Sequence, residues 1–340
     1  MNFKALKKVL ENQPKYRLEQ VKKAVFVDLI ESWDEATTLP ADLRGKLNKE
    51  CSLDIDTQVF VSKDGQTAKA LISLGDGVKI ESVLMRYEHN RNTVCVSSQV
   101  GCALGCDFCT TGKMGFKRNL SVDEIVEQVL VWARWLKDNP STSDVDRLRI
   151  TNIVFMGMGE PFLNYDNVLG AIHELNDSKG FNLGARHFSI STVGIAGGIK
   201  KLADEPLQIN LAISLHAPND KLRSELMPVG TKYTIKKIIK AVDEYIKKTN
   251  RKVMFAYIMI DGVNDSDKCA YELAKLMKKP LYFINLIPGN PVGSFKPSLQ
   301  SKIERFKKIL KDAGVQVNQR HSFGQDIQAA CGQLVGKTAI

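Results

Sequence analysis

The sequence predicts an α/β fold, in which a small N-terminal α+β domain precedes a partial (β/α)6 barrel and a C-terminal loop follows it. Three observations favour this class. Strand-like and helical segments alternate after residue 90, the strand-like segments are rich in Val and Ile, and polar motifs follow several of their ends. Such alternation is typical of a parallel sheet whose strands are connected by helices.

The N-terminal region differs in pattern from the rest of the chain. Apolar residues recur at helical spacing within the first fifty residues, for example at Leu6, Val9 and Leu10. From about Gln58 the pattern changes to short alternating segments that are separated by Asp-Gly and Gly-Asp-Gly turn signals. We therefore assign residues 1–90 to an accessory domain.

The barrel is predicted from six strand-like segments. They are TVCVSS, RITNIVFMG, RHFSISTVG, QINLAISLH, KVMFAYIMI and PLYFINLIP. Helical patterns separate several of them, and Ser121 with Glu124 forms a capping box at the start of one helix. Six units fit an open, partial barrel better than a closed eightfold one, so we assign it residues 91–322 and leave 323–340 as a C-terminal segment.

Polar motifs follow the predicted strand ends. They are Gly-Met-Gly-Glu-Pro at 157–161, Ser191-Thr192, Ser214-Leu215-His216 and Asn290. Parallel barrels gather their active sites at the C-terminal ends of the strands, so we expect these groups to share one mouth. Gly157 and Gly159 allow the backbone to approach a ligand closely and Glu160 can bind an ammonium group, although a tight turn with an exposed glutamate is equally compatible with that motif alone.

Length and composition narrow the class of protein. A chain of 340 residues with 44% hydrophobic residues can bury a sizeable core. No apolar run is long enough to span a bilayer, and the charged N-terminus lacks the apolar segment of a secretory signal. We expect a cytoplasmic protein without a membrane partner, whose seven cysteines are reduced and suited to metal or redox chemistry.

The net charge of +10 is concentrated in two segments. The cationic residues of the first are Lys236, Lys237, Lys240, Lys247, Lys248, Arg251 and Lys252, and those of the second are Lys302, Arg305, Lys307, Lys308 and Lys311. They are either solvated helix faces or a surface for a polyanion such as RNA or DNA. Charge alone does not decide between these two hypotheses.

Cys102, Cys106 and Cys109 have the spacing C-x3-C-x2-C. A structural zinc site needs four protein ligands, and Cys95 is a candidate for the fourth. Three unrelated core thiols are a second possibility, which the short spacing disfavours. The stretch resembles the signature of radical S-adenosylmethionine enzymes, in which three thiolates hold a [4Fe–4S] cluster and leave one iron open for the cofactor.

Six motifs together extend this resemblance along the chain. They are CVSSQVGCALGCDFCTTGKMGFKRNL, FMGMGEPFLN, SISTVGIAGGI, ISLHAPND, NLIPGNP and AACGQL. In this order they resemble the RlmN/Cfr family of radical S-adenosylmethionine rRNA methyltransferases over roughly residues 1–335, most closely its RlmN branch. The resemblance implies a partial radical S-adenosylmethionine barrel and methylation of carbon 2 of an adenine in 23S rRNA and in tRNA.

The resemblance also implies roles for individual residues. Cys331 matches the cysteine that first receives a methyl group, Cys95 its resolving partner, and Glu81 the acid/base glutamate, with one residue gapped before Cys95. The C-terminal segment thereby becomes a catalytic loop. The positions that match the contacts to S-adenosylmethionine are Gly159, Glu160, Ser191, Ser214, Leu215, His216 and Asn290.

The chemistry of the target explains why two cysteines outside the cluster are needed. Carbon 2 of adenine is electron-poor and does not attack a sulfonium methyl, whereas the thiolate of Cys331 can take it by displacement. The resemblance implies that a second S-adenosylmethionine then yields a radical at this methyl, which adds to the ring. Attack of Cys95 on the sulfur of Cys331 finally releases the methylated RNA and leaves a disulfide.

Two alternatives remain open from the sequence. The first is methylation of carbon 8 of the same adenine, as in the Cfr branch, and the second is a zinc-stabilised RNA-binding module without catalysis. We further expect a monomer that binds 23S rRNA and tRNA and receives electrons from a donor such as flavodoxin and its reductase.

Overall fold

Helices form most of the first fifty residues of the computed structural model, which describes residues 2–88, 90–140, 149–320 and 323–336. They are α1 (Phe3–Leu10), α2 (Tyr16–Phe26) and α3 (Ala41–Glu50). The indole Nε1 of the fully buried Trp33 donates to the carbonyl of Cys51, 2.7 Å away, and ties the connection between α2 and α3 to the residue after α3. The ends of the three predicted domains at residues 1, 322 and 340 lie outside the described residues.

Four strands and a short ribbon follow the N-terminal helices. The strands are β1 (Thr57–Val61), β2 (Thr67–Ser73), β3 (Lys79–Tyr87) and β4 (Arg91–Cys95). The ribbon region contains β5 (Gln99–Gly101), α4 (Thr110–Lys113) and β6 (Phe116–Asn119). Strands β5 and β6 pair with each other in a separate two-stranded sheet.

Helices and strands alternate through the rest of the chain. They are α5 (Val122–Asp138), β7 (Asn152–Phe155), α6 (Tyr165–Asn176), β8 (Phe188–Thr192), α7 (Ala196–Asp204), β9 (Asn210–Ser214), α8 (Asp220–Leu226), α9 (Ile235–Thr249), β10 (Val253–Met259), α10 (Asp267–Met277), β11 (Tyr282–Pro288), α11 (Gln300–Asp312) and β12 (Val317–Gln319). The predicted capping box at the start of α5 is confirmed, since Ser121 and Glu124 each bond the other's backbone amide.

The described strands form a ten-stranded sheet in the order β1-β2-β3-β4-β7-β8-β9-β10-β11-β12. The three pairs from β1–β2 to β3–β4 are antiparallel, and the pairs from β4–β7 to β11–β12 are parallel. All six predicted barrel strands are confirmed as β4 and β7 to β11. Because β3 pairs with β4, the strands that we assigned to the accessory domain continue the barrel sheet.

The parallel part of the sheet curls into an open barrel. Arg320 directly follows β12, yet its guanidinium lies 3.6 Å from the sulfur of Met85 in β3 and 3.6 Å from that of Met156 after β7. Six strands separate β12 from β3 in the sheet, so this approach requires strong curvature. The curvature brings the two ends of the parallel sheet to the same cavity.

None of the described helices is long and apolar enough to cross a membrane.

Candidate active site

The three clustered cysteines lie in the loop between β5 and β6. This loop begins at Gly101, whose φ of +73° and close approach to the carbonyl of Gly115 exclude a Cβ atom. Backbone bonds then fix the loop, from Cys102 N–H to Gly115 O at 3.0 Å and from Cys109 N–H to Cys106 O at 3.1 Å. The sequence therefore builds a rigid loop that presents three thiols.

All three thiols line one cavity of about 870 Å³, measured with its open mouth. Burial raises the pKa of Cys102 to about 11 and raises those of Cys106 and Cys109 as well, so positive charge is needed to hold them as thiolates. In the described part of the chain, no three His, Cys, Asp or Glu side chains are gathered closely enough for a single metal ion. Three thiols around a larger space fit a cluster, which is wider than one ion.

The opposite wall of this cavity is formed by the end of β7 and the turn after it. Gly159 has a φ of +98°, and a Cβ there would lie 2.5 Å from the side chain of Gln99. Glu160 is buried, and its two carboxylate oxygens accept from the backbone amides of Phe162 at 3.1 Å and Val193 at 2.9 Å. Burial raises the pKa of Glu160 to about 7, against the opposing hydrogen bonds of Thr192, Val193 and Phe162.

Ser191, Ser214 and His216 bring further polar groups to the same cavity from the ends of β8 and β9. The hydroxyls of Ser191 and Ser214 are 3.1 Å apart. The Nδ1 atom of His216 accepts the amide of Ile258 at 3.1 Å, and burial lowers the pKa of this imidazole to about 3. His216 is therefore neutral with its proton on Nε2, which makes it a hydrogen-bond donor.

Two of the seven predicted cofactor contacts lie elsewhere. Leu215 is fully buried and does not line the cavity, and its backbone amide bonds the carbonyl of Ala256 at 3.1 Å. Asn290 lines a second, adjoining cavity, where its side-chain amide donates to the carbonyl of Cys331 at 3.0 Å. The structure thus brings Gly159, Glu160, Ser191, Ser214 and His216 together with the three cysteines and leaves Leu215 and Asn290 outside.

The second cavity, of about 680 Å³, contains Cys95 and Cys331. Cys331 lines both cavities, whereas Cys95 lines only the second. Burial and, to a smaller extent, the neighbouring Cys331 raise the pKa of Cys95 to about 12. Cys109 also lines both cavities, so it borders Cys95 as well as Cys102 and Cys106. A zinc site made by Cys95 with the three clustered cysteines is nevertheless not formed, since no three metal-ligating side chains of the described residues surround one point.

Arg320 is a site residue that was not predicted from the sequence. It lines both cavities on the side of Cys331. Burial opposes its charge, but Cys331, Tyr87 and Cys95 outweigh burial and raise its pKa. At Cys95 this cation lowers the pKa of the thiol, against the larger effect of burial. A lone arginine after a short, polar strand carries no sequence signal for that position.

Arg223 was not predicted either, and it supports the site from behind. Its fully buried guanidinium donates to the carbonyls of Val193 at 2.7 Å, Tyr233 at 2.7 Å and Leu215 at 3.2 Å. These carbonyls follow β8, precede α9 and follow β9, respectively. Arg223 therefore fixes two loops of the site. One carries Val193, whose amide bonds Glu160, and the other carries His216, which follows Leu215.

Glu81 lies outside both cavities in this structure. One carboxylate oxygen faces the ammonium of Lys69 at 3.0 Å, without the angle of an ordinary hydrogen bond. The other accepts the backbone amide of Val335 at 2.6 Å. Both charged side chains are buried, at 1% and 0% exposure, so Glu81 here bonds the C-terminal segment and does not face the reacting thiols.

Comparison with known proteins shows the family of this chain. The model of the radical SAM superfamily matches residues 96–274. A probable dual-specificity RNA methyltransferase RlmN from Dictyoglomus thermophilum is 44% identical over 95% of this chain and 91% of its own. The chain belongs to the RlmN family of radical SAM RNA methyltransferases.

Two further relatives come from two other organisms, and one of them has a solved structure. The ribosomal RNA large subunit methyltransferase N of Nitrosopumilus maritimus is 43% identical over 94% of this chain and 92% of its own. The crystal structure of a radical SAM methyltransferase from Sphaerobacter thermophilus has a TM-score of 0.92 at 43% identity and covers 99% of this chain and 98% of its own. The α/β radical SAM fold predicted from the sequence is thereby confirmed.

Membership of the RlmN family also decides between the two cofactor hypotheses. Radical SAM proteins use a [4Fe–4S] cluster and S-adenosylmethionine, and the three-cysteine cavity described above has the donors for the cluster. A zinc-stabilised module without catalysis is not compatible with this family.

Proposed function

We propose that this chain methylates carbon 2 of an adenine in 23S rRNA and in tRNA, through a methyl group carried on Cys331. One observation carries this proposal: Cys331 lies between the cavity of the three cluster cysteines and the cavity of Cys95. A cysteine that carries a methyl group must face the cofactor, from which it receives the methyl, and a second thiol, which frees it from the product. Cys331 faces the cavity of the three clustered cysteines and the cavity of Cys95.

The residues of the first cavity can hold the cofactors. Cys102, Cys106 and Cys109 would bind the cluster, Glu160 the ammonium of S-adenosylmethionine, and His216 would donate from Nε2. When bound, the cluster supplies the electron that converts S-adenosylmethionine into a radical source. The buried apolar side chains of Phe155 and Ile258, which line this cavity, keep water away from this chemistry.

Cys331 is suited to accept the first methyl group. A thiolate attacks the sulfonium methyl of a substrate S-adenosylmethionine, so that a carbon–sulfur bond forms to Cys331 and S-adenosylhomocysteine leaves. Arg320 lines both cavities together with Cys331 and places a positive charge beside the attacking sulfur. A second S-adenosylmethionine is consumed in activating the methyl group, which gives two per turnover.

Cys95 is proposed as the resolving thiol. Its place in the second cavity with Cys331 allows its sulfur to bond that of Cys331 while the bond from that sulfur to the methylene carbon on the base breaks. The methylene carbon leaves with the electron pair and takes up a proton, which makes it the methyl group of the product. A cellular dithiol then reduces the disulfide with two electrons before the next turnover. Glu81 is proposed to take the proton that the base loses, a role that requires the C-terminal segment to release its carboxylate first.

The RNA must present its adenine unstacked at the mouth, since carbon 2 is inaccessible within a helix. We expect a loop or an opened RNA element, held through its phosphates by cationic side chains around the mouth. The remaining expectations are a flavodoxin-type electron donor, a monomeric state and a cytoplasmic location. They rest on the family resemblance and the sequence.

The proposal is tested by mass spectrometry of both RNA and protein. Unmodified 23S rRNA and tRNA transcripts are incubated with anaerobic enzyme, S-adenosylmethionine and a reductant. We expect 2-methyladenosine in the RNA and one additional methyl on the Cys331 peptide, with neither product from Cys331→Ala and both from a Cys269→Ala control. Formation of 8-methyladenosine would establish the carbon-8 alternative, and methylated RNA from Cys331→Ala would refute the methyl-cysteine route.

A further inference from the structure

We infer that Lys69 is a positioning residue that holds Cys331 between the two cavities, an inference that rests on the proposed function of Cys331. It was not among the candidate site residues from the sequence. Lys69 is 1% exposed, in the middle of β2, and its ammonium has partners on both β3 and the C-terminal segment.

The strand register places Lys69 beside Glu81. Lys69 of β2 lies opposite Val83 of β3, and Leu71 lies opposite Glu81. Lys69 and Glu81 are therefore diagonal neighbours on the same face of the hairpin, within reach of a long side chain. Their charged atoms are 3.0 Å apart and both side chains are buried.

The C-terminal segment crosses this face of the hairpin. Phe323 packs edge-on against Tyr87 of β3, with ring centroids 4.7 Å apart, and a Cβ at Gly324 would lie 2.7 Å from the side chain of Thr67. At the other end of the segment, a Cβ at Gly336 would lie 2.5 Å from the carbonyl of Lys79. The C-terminal segment thus packs closely along β2 and β3.

The ion pair of Lys69 and Glu81 forms hydrogen bonds to this segment on both sides of Cys331. The ammonium of Lys69 donates to the carbonyl of Gln328 at 3.5 Å, three residues before Cys331. The carboxylate of Glu81 accepts from the amide of Val335 at 2.6 Å, four residues after it. The buried pair of Lys69 and Glu81 therefore holds both ends of the turn from Gln328 to Val335, which carries Cys331. We call these two ends the stem of the turn.

A buried ion pair is a poor source of stability, because the desolvation of two charges offsets their attraction. An apolar pair at these positions would pack as well but would bond neither Gln328 nor Val335. Breaking the pair by removing one partner leaves the other charge buried and releases one end of the stem. Lys69 therefore controls how often the turn opens, and with it the access to Cys331 and to Glu81.

The test uses the reactivity of the Cys331 thiol in the full-length protein. Wild type, Lys69→Met, and Lys69→Met/Glu81→Gln are treated with iodoacetamide, and alkylation is followed by peptide mass spectrometry, with Cys269 as the internal standard. The double variant retains no buried charge, so it remains informative if Lys69→Met does not fold. Lys79→Met is the matched control, since Lys79 is an exposed lysine of the same hairpin.

We expect Cys331 to be alkylated about tenfold faster or more in both Lys69 variants, relative to Cys269, because the stem of its turn no longer receives the charge-assisted hydrogen bond from Lys69. Lys79→Met should behave as wild type. Equal Cys331 reactivity in folded Lys69→Met or in the double variant would overturn the inference.

A second measurement separates positioning from a general structural effect. At saturating S-adenosylmethionine and without RNA, the loading of a methyl onto Cys331 should slow about tenfold in the double variant, while its affinity for S-adenosylmethionine is unchanged. Equal losses of rate and affinity would contradict a positioning role. If wild-type Cys331 never accepts a methyl group, the proposed function fails, and the alkylation result alone decides the role of Lys69.

Discussion

The side-chain amide of Asn290 donates a 3.0 Å hydrogen bond to the backbone carbonyl of Cys331. Its own carbonyl oxygen accepts from Gln325 at 3.0 Å, so both ends of the amide bind the C-terminal segment. Asn290 follows β11, whose end belongs to the barrel mouth. The family motif that contains Asn290 suggests a cofactor contact, yet here this residue joins the mouth to the loop that carries Cys331.

Asn290→Ala should therefore slow the methylation of Cys331 more than it weakens the binding of S-adenosylmethionine. Removal of two hydrogen bonds to the C-terminal segment should slow methyl loading onto Cys331 about tenfold. Binding of S-adenosylmethionine to the anaerobic protein, measured by equilibrium dialysis, should stay within about twofold of wild type. A large loss of affinity with normal loading would show that Asn290 binds the cofactor instead.

The cluster assignment predicts the effect of removing any one of its three cysteines. Cys102→Ala, Cys106→Ala and Cys109→Ala should each lose most of the roughly four irons expected per chain and all reductive cleavage of S-adenosylmethionine. Cys269→Ala, at a thiol outside both cavities, is the matched control and should retain both. Iron analysis and the yield of 5′-deoxyadenosine are the two measurements. Full cleavage in any of the three cluster variants would exclude the assignment.

The raised pKa of Glu160 predicts a pH-dependent stability of the cofactor-free protein. Because its folded-state pKa of about 7 exceeds the ordinary 4.5, protonated Glu160 stabilises the fold below pH 4.5, and this contribution is lost as the pH rises towards 7. Relative to Glu160→Gln, which does not titrate, wild type should lose up to about 3 kcal/mol of unfolding free energy between pH 4.5 and 8. Parallel urea unfolding curves of the two proteins across this range check the prediction, and a constant difference between them would contradict it.

The orientation of α9 divides its lysines into two groups. The helix follows β9, so Lys236 and Lys237 in its first turn lie on the side of the mouth. Lys247 and Lys248 lie at the opposite edge, where the next cation along the chain, Arg251, bonds the carbonyl of Gln208 before β9 at 2.7 Å. Lys248 is also paired with Asp204.

This division predicts unequal effects on RNA binding. Lys236→Glu/Lys237→Glu should weaken RNA binding and reduce the slope of log affinity against log salt by about 0.7–0.9 for each phosphate that is no longer neutralised. Lys247→Glu/Lys248→Glu serves as the charge-matched control and should change the slope little. Fluorescence anisotropy at several salt concentrations measures both. Equal effects of the two pairs would mean that RNA does not approach from the mouth.

Much of the fold follows from local patterns in the sequence. The six buried strands are visible because Val and Ile dominate them, and the polar groups at their ends share a mouth because parallel strands end at one edge. Strand β12 was not predicted, since its three residues, Val-Asn-Gln, carry neither the length nor the apolar content of a buried strand. Arg320 escaped prediction with it, because only the curvature of the sheet brings that residue to Met85 and the two thiols.

Motifs and the family resemblance predicted the candidate site. They did not predict Lys69, Arg223 and Arg320, which support it. Lys69 gives no sequence signal because its role depends on the pairing of β2 with β3 and on a segment 259 residues away. The bond between Glu81 and Val335 is hidden in the same way, because 254 residues separate the two along the chain. Side chains that act by joining distant segments become visible only in three dimensions.

The role of Cys95 is the central claim, and Cys95→Ala tests it most directly. Cys95 does not line the cavity that Cys102, Cys106 and Cys109 share, although Cys109 also lines the cavity of Cys95. The variant should therefore assemble its cluster and load a methyl onto Cys331. Without a thiol to attack the sulfur of Cys331, the methylene bridge between that sulfur and the adenine should persist. Cys95→Ala/Cys331→Ala is the control, in which no bridge can form.

The decisive measurement is denaturing electrophoresis of Cys95→Ala after reaction with labelled RNA, S-adenosylmethionine and reductant. We expect a covalent protein–RNA band that withstands denaturation, disappears on nuclease treatment and is absent from the double variant. Normal turnover by Cys95→Ala, or loss of its iron, would contradict the assignment of Cys95 as the resolving thiol.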